Sequence, residues 1–481
     1  MSKYDKYEIV IGLEVHAQLS TQSKMYATDS AAFGGSPNSH ISPLTLGHPG
    51  TLPKVNKKAI DYAIKMGLAT NCNITSFNGF ARKNYFYADL PKGYQITQDK
   101  TPICTKGHLN IKVNDTQKEI GITRIHLEED AGKSIHDLDP YNTLIDLNRA
   151  GVPLIEIVSE PDMRSSEEAY QYLTEVRKLL RYLEICDGNM EEGSMRCDAN
   201  ISVRLKGAKE FGERCEVKNM NSIRNVAKAI EHEAKRQIDI IENGGKIDQE
   251  TRSFNAVDGS TFTLRSKENA HDYRYFPEPD IQPFVVTEQK VSAIKNEMPK
   301  LSSQLFEEFT KQLGLSDYDA NILSEDKYEA AYYNDIIKNT DNYKAAANWM
   351  IGPVKSYLNE KSVNIQDFPI KASSVAEIIS LIEEGKLNFA SASQNLFPKL
   401  LENSDAKILE LAKELNIIQN SDASEIEDIV DKVLASFPDK VEEYKNGKKG
   451  LLGMFMGQVM KQSGGKADPK IATQLLNKKL N

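Results

Sequence analysis

Residues 7–19 read YEIVIGLEVHAQL, and along this stretch apolar and polar side chains alternate. Period two marks a half-buried strand. Ile9, Ile11, Leu13 and Val15 go to one face, while Glu14, His16 and Gln18 go to the other. A carboxylate and an imidazole then stand roughly 6.5 to 7 Å apart along one strand. Two further acidic stretches follow, HLEED at 126–130 and IEIVSE at 155–160. A sheet that gathers carboxylates and a histidine on one surface needs a cation there, because like charges held together repel. The chain reads as a metal-using enzyme.

The sheet reading extends outward from there. In 195–205, Met195, Cys197, Ala199, Ile201, Val203 and Leu205 alternate with Arg196, Asp198, Asn200, Ser202 and Arg204. Residues 212–220 are expected to pair with them and to present Arg214, Glu216 and Lys218 on one face. Such alternation suits an antiparallel sheet with one packed and one wet face. Two helices interrupt it. Ser165-Ser166-Glu167-Glu168 opens the first, with Ala169, Leu173, Val176, Leu180 and Leu183 at helical spacing. The second starts at Asn221 or Ser222, carries Ile223, Val226, Ile230, Ala234, Ile238 and Ile241, and stops at Gly244-Gly245. Three prolines in 275–283 cannot lie inside a helix, so the first domain is placed at 1–295. Helical patterning then marks a domain at 296–404 and a small tail domain at 405–481, broken at Gly447 and Gly464-Gly465. The predicted class is α+β: an antiparallel-sheet cradle with inserted helices, a helical domain and a helical tail.

The 481 residues are too many for one ordinary domain. No secretory signal is visible at the start, and no stretch reaches the roughly 20 apolar residues of a membrane span. Five cysteines form no CxxC pair, which fits reduced thiols in a cytoplasmic protein. The net charge of −9 argues against a chain that coats nucleic acid along its length. The end is different. Residues 445–481 hold eight lysines and one acid, net +7, after a stretch at 406–443 with four lysines and ten acids, net −6. That asymmetry suits a polyanion partner, although a helical domain with one solvated basic face has the same charge.

Several motifs bear on chemistry. Ala131-Gly132-Lys133-Ser134 imitates the end of a P-loop, but the glycine needed five positions earlier is Leu127. Oxygen ligands with one imidazole suit Mg²⁺ or Mn²⁺ better than zinc. Magnesium on a triphosphate neutralises such acids and orients a phosphoryl group for transfer. The basic-aromatic run Arg82-Lys83-Asn84-Tyr85-Phe86-Tyr87 can meet phosphate and stack on a base, or can be a surface hairpin with packed aromatics. Asp272-Tyr273-Arg274-Tyr275-Phe276 offers the same two readings, and His48 in the rigid turn at 47–53 reads as structural. No GxSxG elbow, serine-lysine amidase signature or glutaminase-type cysteine is present, so any ammonia must come from another chain.

The runs IGLEVHAQL, PGTLP, RKNYFY, KGYQITQ, HLEEDAGKS, DLNRAGVPLIEIVSEPD, MEEGSMRCDANIS, VKNMNS and DYRYFPEPD resemble the B-subunit family of the tRNA-dependent amidotransferases. They fall in order across the first 283 residues, and the segment 445–461 resembles that family's tRNA-contacting tail. The resemblance implies a ligase that amidates glutamate misacylated on tRNA(Gln), aspartate on tRNA(Asn), or both. The chain would use ATP and Mg²⁺ to phosphorylate the side-chain carboxylate, with ammonia delivered by an A subunit and a C subunit completing a heterotrimer. By resemblance Glu14, His16, Glu129 and Glu156 lead as catalytic, metal and channel candidates, with Glu128 and Asp198 behind. Strand parity leaves Glu128 against Glu129 open, since they point to opposite faces. Lys83 is the catalytic candidate for the transferring phosphate. Arg82, Tyr85, Arg149, Arg196, Arg204 and Lys218 are further phosphate and substrate candidates, and Asn148 supports the site. Lys445, Lys448, Lys449, Lys461 and Lys466 are the tRNA candidates. Some relatives carry paired zinc cysteines before the PGTLP turn; residues 36–47 here have none, so no zinc is expected. Two other readings compete: a catalytically silent tRNA-binding subunit, and a free-standing ligase for a small acid, which leaves the basic tail without a role.

Overall fold

The computed structural model describes residues 2–114, 116–266, 273–419 and 423–480. The chain forms two compact units, Met1–Leu301 and Ser302–Asn481.

The first unit is built on a twelve-stranded sheet. Its main path runs Thr261–Ser266, Glu250–Phe254, Cys215–Lys218, Met195–Leu205, Tyr7–Gln18, Pro153–Ser159, Thr116–Glu129, Tyr94–Thr97, Ala81–Asn84, Arg274–Pro277. The strand that opened the sequence reading is therefore interior, flanked by Met195–Leu205 and by the acid-bearing Pro153–Ser159. Cys104–Val113 also pairs with Thr116–Glu129. The sheet is not purely antiparallel as expected. Cys215–Lys218 and Glu250–Phe254 run parallel, because the helix Ile223–Glu242 returns the chain to the same end of the sheet.

The apolar face of the sheet carries Ile11, Leu13, Val15, Ile125, Ile157 and Ile201, all but inaccessible to solvent. Helices cover it. Ser166–Tyr182 is capped by Ser165, whose hydroxyl accepts the Glu168 N–H at 3.1 Å, and buries Ala169, Leu173, Val176 and Leu180. Ile223–Glu242 is capped by Ser222 in the same way, and Gly244 closes it at φ +79°. Two helices of this unit escape the sequence reading. Lys57–Ala69 is capped by Asn56 and buries mostly small residues, Ala59, Ala63 and Gly67 among them. A Cβ at Gly67 would stand 2.4 Å from Cys104 Sγ, so glycine sets how closely this helix lies on the sheet. Glu288–Glu297 runs across the boundary expected at 295, and its Ile294 joins the core of the first unit.

The second unit is helical. Its single tryptophan, Trp349, packs against Phe389 and Phe397. A wide turn at Met350–Val354 absorbs Pro353 without ending the helix. Residues between Ile426 and Leu480 share a core of their own, including Val430, Val433, Phe455, Val459 and Leu476. Its helices break where left-handed glycines stand, at Gly447 and at Gly464-Gly465. Among the described residues no helix is long and apolar enough to cross a membrane.

Candidate active site

Strand register lays out the polar face as a grid. Arg196, His16, Glu156 and His126 lie opposite one another on four adjacent strands. One pleat away, Asp198, Glu14, Val158 and Arg124 form a parallel row. On the other side, Gln18, Leu154, Glu128 and Thr97 form a third. Side chains from distant stretches meet because alternation sends every second residue to this face.

Two clusters result. In the first, His16 Nε2 lies 3.2 Å from Glu156 Oε2 and 3.7 Å from Glu128 Oε1. His126 Nε2 approaches Glu128 at 3.6 Å and Glu156 at 3.7 Å, while its buried Nδ1 has no hydrogen-bond partner. Burial works against charge on His16, but the hydrogen bond and charge of Glu156, with Glu128 and Asp198, hold its pKa up at about 9. Burial likewise disfavours charge on Glu156, yet His126, His16 and Lys83 draw its pKa far below the usual carboxylate range. The second cluster is Glu14, Asp198 and Glu216. Lys218 joins Asp198 and lies 2.9 Å from Glu216, and Asn200 donates to Glu14 Oε1 at 2.9 Å. Burial and the charges of Glu156 and Glu216 push the Glu14 pKa up.

Both clusters fit a divalent cation by their donors. In each, one ligand atom from every residue lies within 4.8 Å of the others. The first offers two carboxylates and an imidazole, the second carboxylates alone, which is hard-cation chemistry. His16 must give up its proton to ligate, and a cation in the second cluster must displace Lys218.

The cations are graded around this face. Lys83 pairs in register with Gln95 on one side and Tyr275 on the other, and lies 4.7 Å above the Tyr273 ring. Burial opposes its charge, but Glu128, Tyr275 and Glu156 outweigh it and keep its pKa raised. Tyr85 stacks edge-on with Tyr273 at 5.5 Å. The two basic-aromatic runs are thus paired strands; Asp272 of the second lies outside the described residues. Arg196 bonds Asp130 at 2.9 Å, and Gln18 donates to the same carboxylate at 2.8 Å.

Other candidates are not brought to the clusters. Glu129 turns to the opposite face, where Lys92 and the Ile96 N–H hold it, so Glu128 takes the place beside His16. Arg82 points away from Lys83 and is forked by Glu278 at 2.7 and 3.1 Å. Arg204 lies six residues beyond Asp198, about 20 Å along the strand, and binds Glu8 at 2.7 Å. Arg149 donates to the carbonyls of Ala131 and Gly132, and Asn148 braces the 36–40 loop. In the second unit Lys448 pairs with Glu443 at 3.1 Å, Lys449 lies over Tyr444 and Lys466 donates to Asn416. Lys445 and Lys461 sit in the last turns of their helices.

The sequence reading passed over His126, Arg124 and Lys24. The first could have been found, since His126 and Glu128 are two apart and share a face. Lys24 had no signal. It is 1% exposed, donates to His40 O at 2.6 Å, and burial lowers its pKa to about 8 despite Asp29 and Glu129.

Residues 9–292 match the GatB/GatE catalytic domain, and residues 331–480 match the GatB domain. The B subunit of the aspartyl/glutamyl-tRNA(Asn/Gln) amidotransferase of Syntrophotalea carbinolica is 49% identical over 99% of both chains. That of Thermodesulfovibrio yellowstonii is 49% identical over 98% of this chain and 99% of its own, and that of Caldicellulosiruptor bescii is 47% identical over 99% of each. With its catalytic-domain match carried by the strands that build both clusters, the chain belongs to the GatB/GatE family.

Proposed function

We propose that this chain is the ATP-using B subunit of an aspartyl/glutamyl-tRNA amidotransferase. It converts Glu-tRNA(Gln), Asp-tRNA(Asn), or both, to the amide form. The observation that carries this reading is the pair of carboxylate clusters on one sheet face, with Lys83, Arg196 and Lys218 around them. Two carboxylates with an imidazole in one cluster, and three carboxylates in the other, suit magnesium rather than zinc. A bound divalent ion would supply charge neutralisation at the transferring phosphoryl group.

The chemistry divides into two displacements. The side-chain carboxylate of the aminoacyl group attacks the γ-phosphorus, the bond to the β-bridging oxygen breaks, and ADP leaves. Ammonia then attacks the carbonyl carbon of the acyl phosphate, phosphate leaves with the bonding pair, and one proton is lost. Phosphorylation is needed because a carboxylate is a poor acyl donor. Lys83 and Arg196 would hold phosphate oxygens by charge; His16, Glu128 and Glu156 would hold a cation in the first cluster, and Glu14 with Asp198 and Glu216 would hold one in the second. The A subunit supplies ammonia, consistent with the lack of a glutaminase signature, and the C subunit completes the heterotrimer. We assign 405–481, with its lysines, to docking of tRNA, 296–404 to a connecting helical domain, and the complex to the cytoplasm.

The test uses the purified complex with Glu14→Ala and His16→Ala together. ATP-dependent amidation should disappear while glutamine hydrolysis persists. Amidation retained at the wild-type rate makes this chain a silent tRNA-binding subunit instead. Deleting residues 406–481 should raise KM for misacylated tRNA and spare basal ATP hydrolysis; an unchanged KM removes the docking role from the tail.

A further inference from the structure

Lys218 sits in the second carboxylate cluster as a cation would. Strand register builds its setting. Glu14 lies opposite Asp198, and Glu216 stands between Asn200 on one strand and Thr251 on the next. Lys218 ends the strand Cys215–Lys218, two residues beyond Glu216 and so on the same face. Its ammonium joins Asp198 and reaches Glu216 Oε1 at 2.9 Å. It therefore bridges two of the three carboxylates whose ligand atoms lie within 4.8 Å of one another.

Two neutral donors hold the carboxylates from the sides. Asn200 donates to Glu14 Oε1 at 2.9 Å, and the Thr251 hydroxyl donates to Glu216 Oε2 at 3.0 Å. Both stand on paired strands, so they orient the carboxylates whatever balances the charge. Lys218 is held differently. Its ammonium ends a flexible aliphatic stem, its side chain is 30% exposed, and the backbone turns off the sheet behind it at Asn219, with φ +65°. Carboxylates this close repel one another unless a positive charge stands among them. An ammonium relieves the repulsion, but it offers donors and no acceptor, so it cannot share the site with a metal ion.

We propose that Lys218 is a tethered competitor for the second cation site: its ammonium keeps the three carboxylates together when no divalent ion is bound, and gives up its place when one enters. The proposal rests on the cation role given to this cluster above. Its two effects have opposite signs. Lys218 stabilises the fold without metal and weakens the site for metal. A lysine that only braced the fold would leave metal affinity unchanged or lower it when removed.

The test is a Mn²⁺ titration of the purified heterotrimer after chelation, with free Mn²⁺ read by electron paramagnetic resonance. The equivalent that belongs to this cluster is the one lost in Asp198→Asn. Lys218→Met keeps the stem and removes the charge. It should tighten that equivalent about tenfold, a modest figure for lifting a like charge at about 4 Å. The same variant should melt at a lower temperature than wild type in chelator, and should gain more from added Mn²⁺. Lys218→Gln should tighten binding likewise if the methionine variant fails to assemble, whereas Lys218→Arg keeps the charge and should not. An affinity unchanged or weakened by removing the charge overturns the competition alone. If Asp198→Asn keeps every equivalent, the cluster takes no ion, and the cation reading falls together with the proposal.

Discussion

Removing the His16 imidazole should flatten the alkaline limb of the protein's stability. In the folded chain its pKa is held up at about 9, against an ordinary 6.5. A group whose folded pKa is raised contributes stability that is full below the unfolded value and lost as pH rises through the folded one. His16 therefore stabilises fully below about pH 6.5 and progressively less up to pH 9. A rise from 6.5 to about 9 corresponds to roughly 3 kcal/mol, since each tenfold change in proton affinity is worth about 1.36 kcal/mol. The cause is local: Glu156 at 3.2 Å and Glu128 at 3.7 Å prefer a positive neighbour. The assay is urea unfolding at pH 6 and pH 9.5, followed by far-UV circular dichroism with divalent ions chelated, for wild type and His16→Gln. Far-UV signal is needed because Trp349, the sole tryptophan, reports only the second unit. Lys24 titrates in the opposite sense. Its pKa is lowered to about 8, so the folded state gains between pH 8 and 10.5, equally in both proteins. The difference between the two pH responses isolates His16. Responses parallel to within about 0.5 kcal/mol, the scatter of ordinary surface changes, would refute the argument.

Glu128→Ala and Glu129→Ala should separate cleanly. The first should weaken Mn²⁺ binding measured by calorimetry; the second should leave Lys92 buried without its partner and lower stability by about 3 to 5 kcal/mol in a denaturant titration. Arg82→Ala should likewise destabilise through the uncompensated Glu278, whose side chain is fully buried, with KM for ATP unmoved. Leu173→Ala, beneath the sheet, should cost about 2 to 5 kcal/mol by the same titration. Replacing Lys448, Lys449, Lys461 and Lys466 together with alanine should weaken tRNA binding and flatten its dependence on salt, read from filter binding between about 50 and 200 mM.

Local pattern was enough to locate the strands at 7–18 and 195–205 and the acidic stretches at 126–130 and 155–160, but it left open the runs that became Ala81–Asn84 and Arg274–Pro277. Alternation in 7–18 and 195–205 determined which side chains share the polar face, since parity is fixed within a strand whatever its neighbours. The caps at Ser165 and Ser222 determined where two helices begin, because a cap bonds only to the turn that follows it. Lys57–Ala69 was missed because small buried residues make a weak stripe. Three matters were decided only by the tertiary structure. Pairing order and register placed Glu156 between His16 and His126, although these residues are up to 140 positions apart. The choice of Glu128 over Glu129 needed the register with Pro153–Ser159, because adjacent residues on a strand face opposite ways. The fates of Arg82 and Arg204 needed their partners, Glu278 and Glu8, since a guanidinium goes to whichever carboxylate the fold brings within reach. Parity is a property of the local backbone; proximity between strands belongs to the whole chain, and the chemistry of this face depends on both.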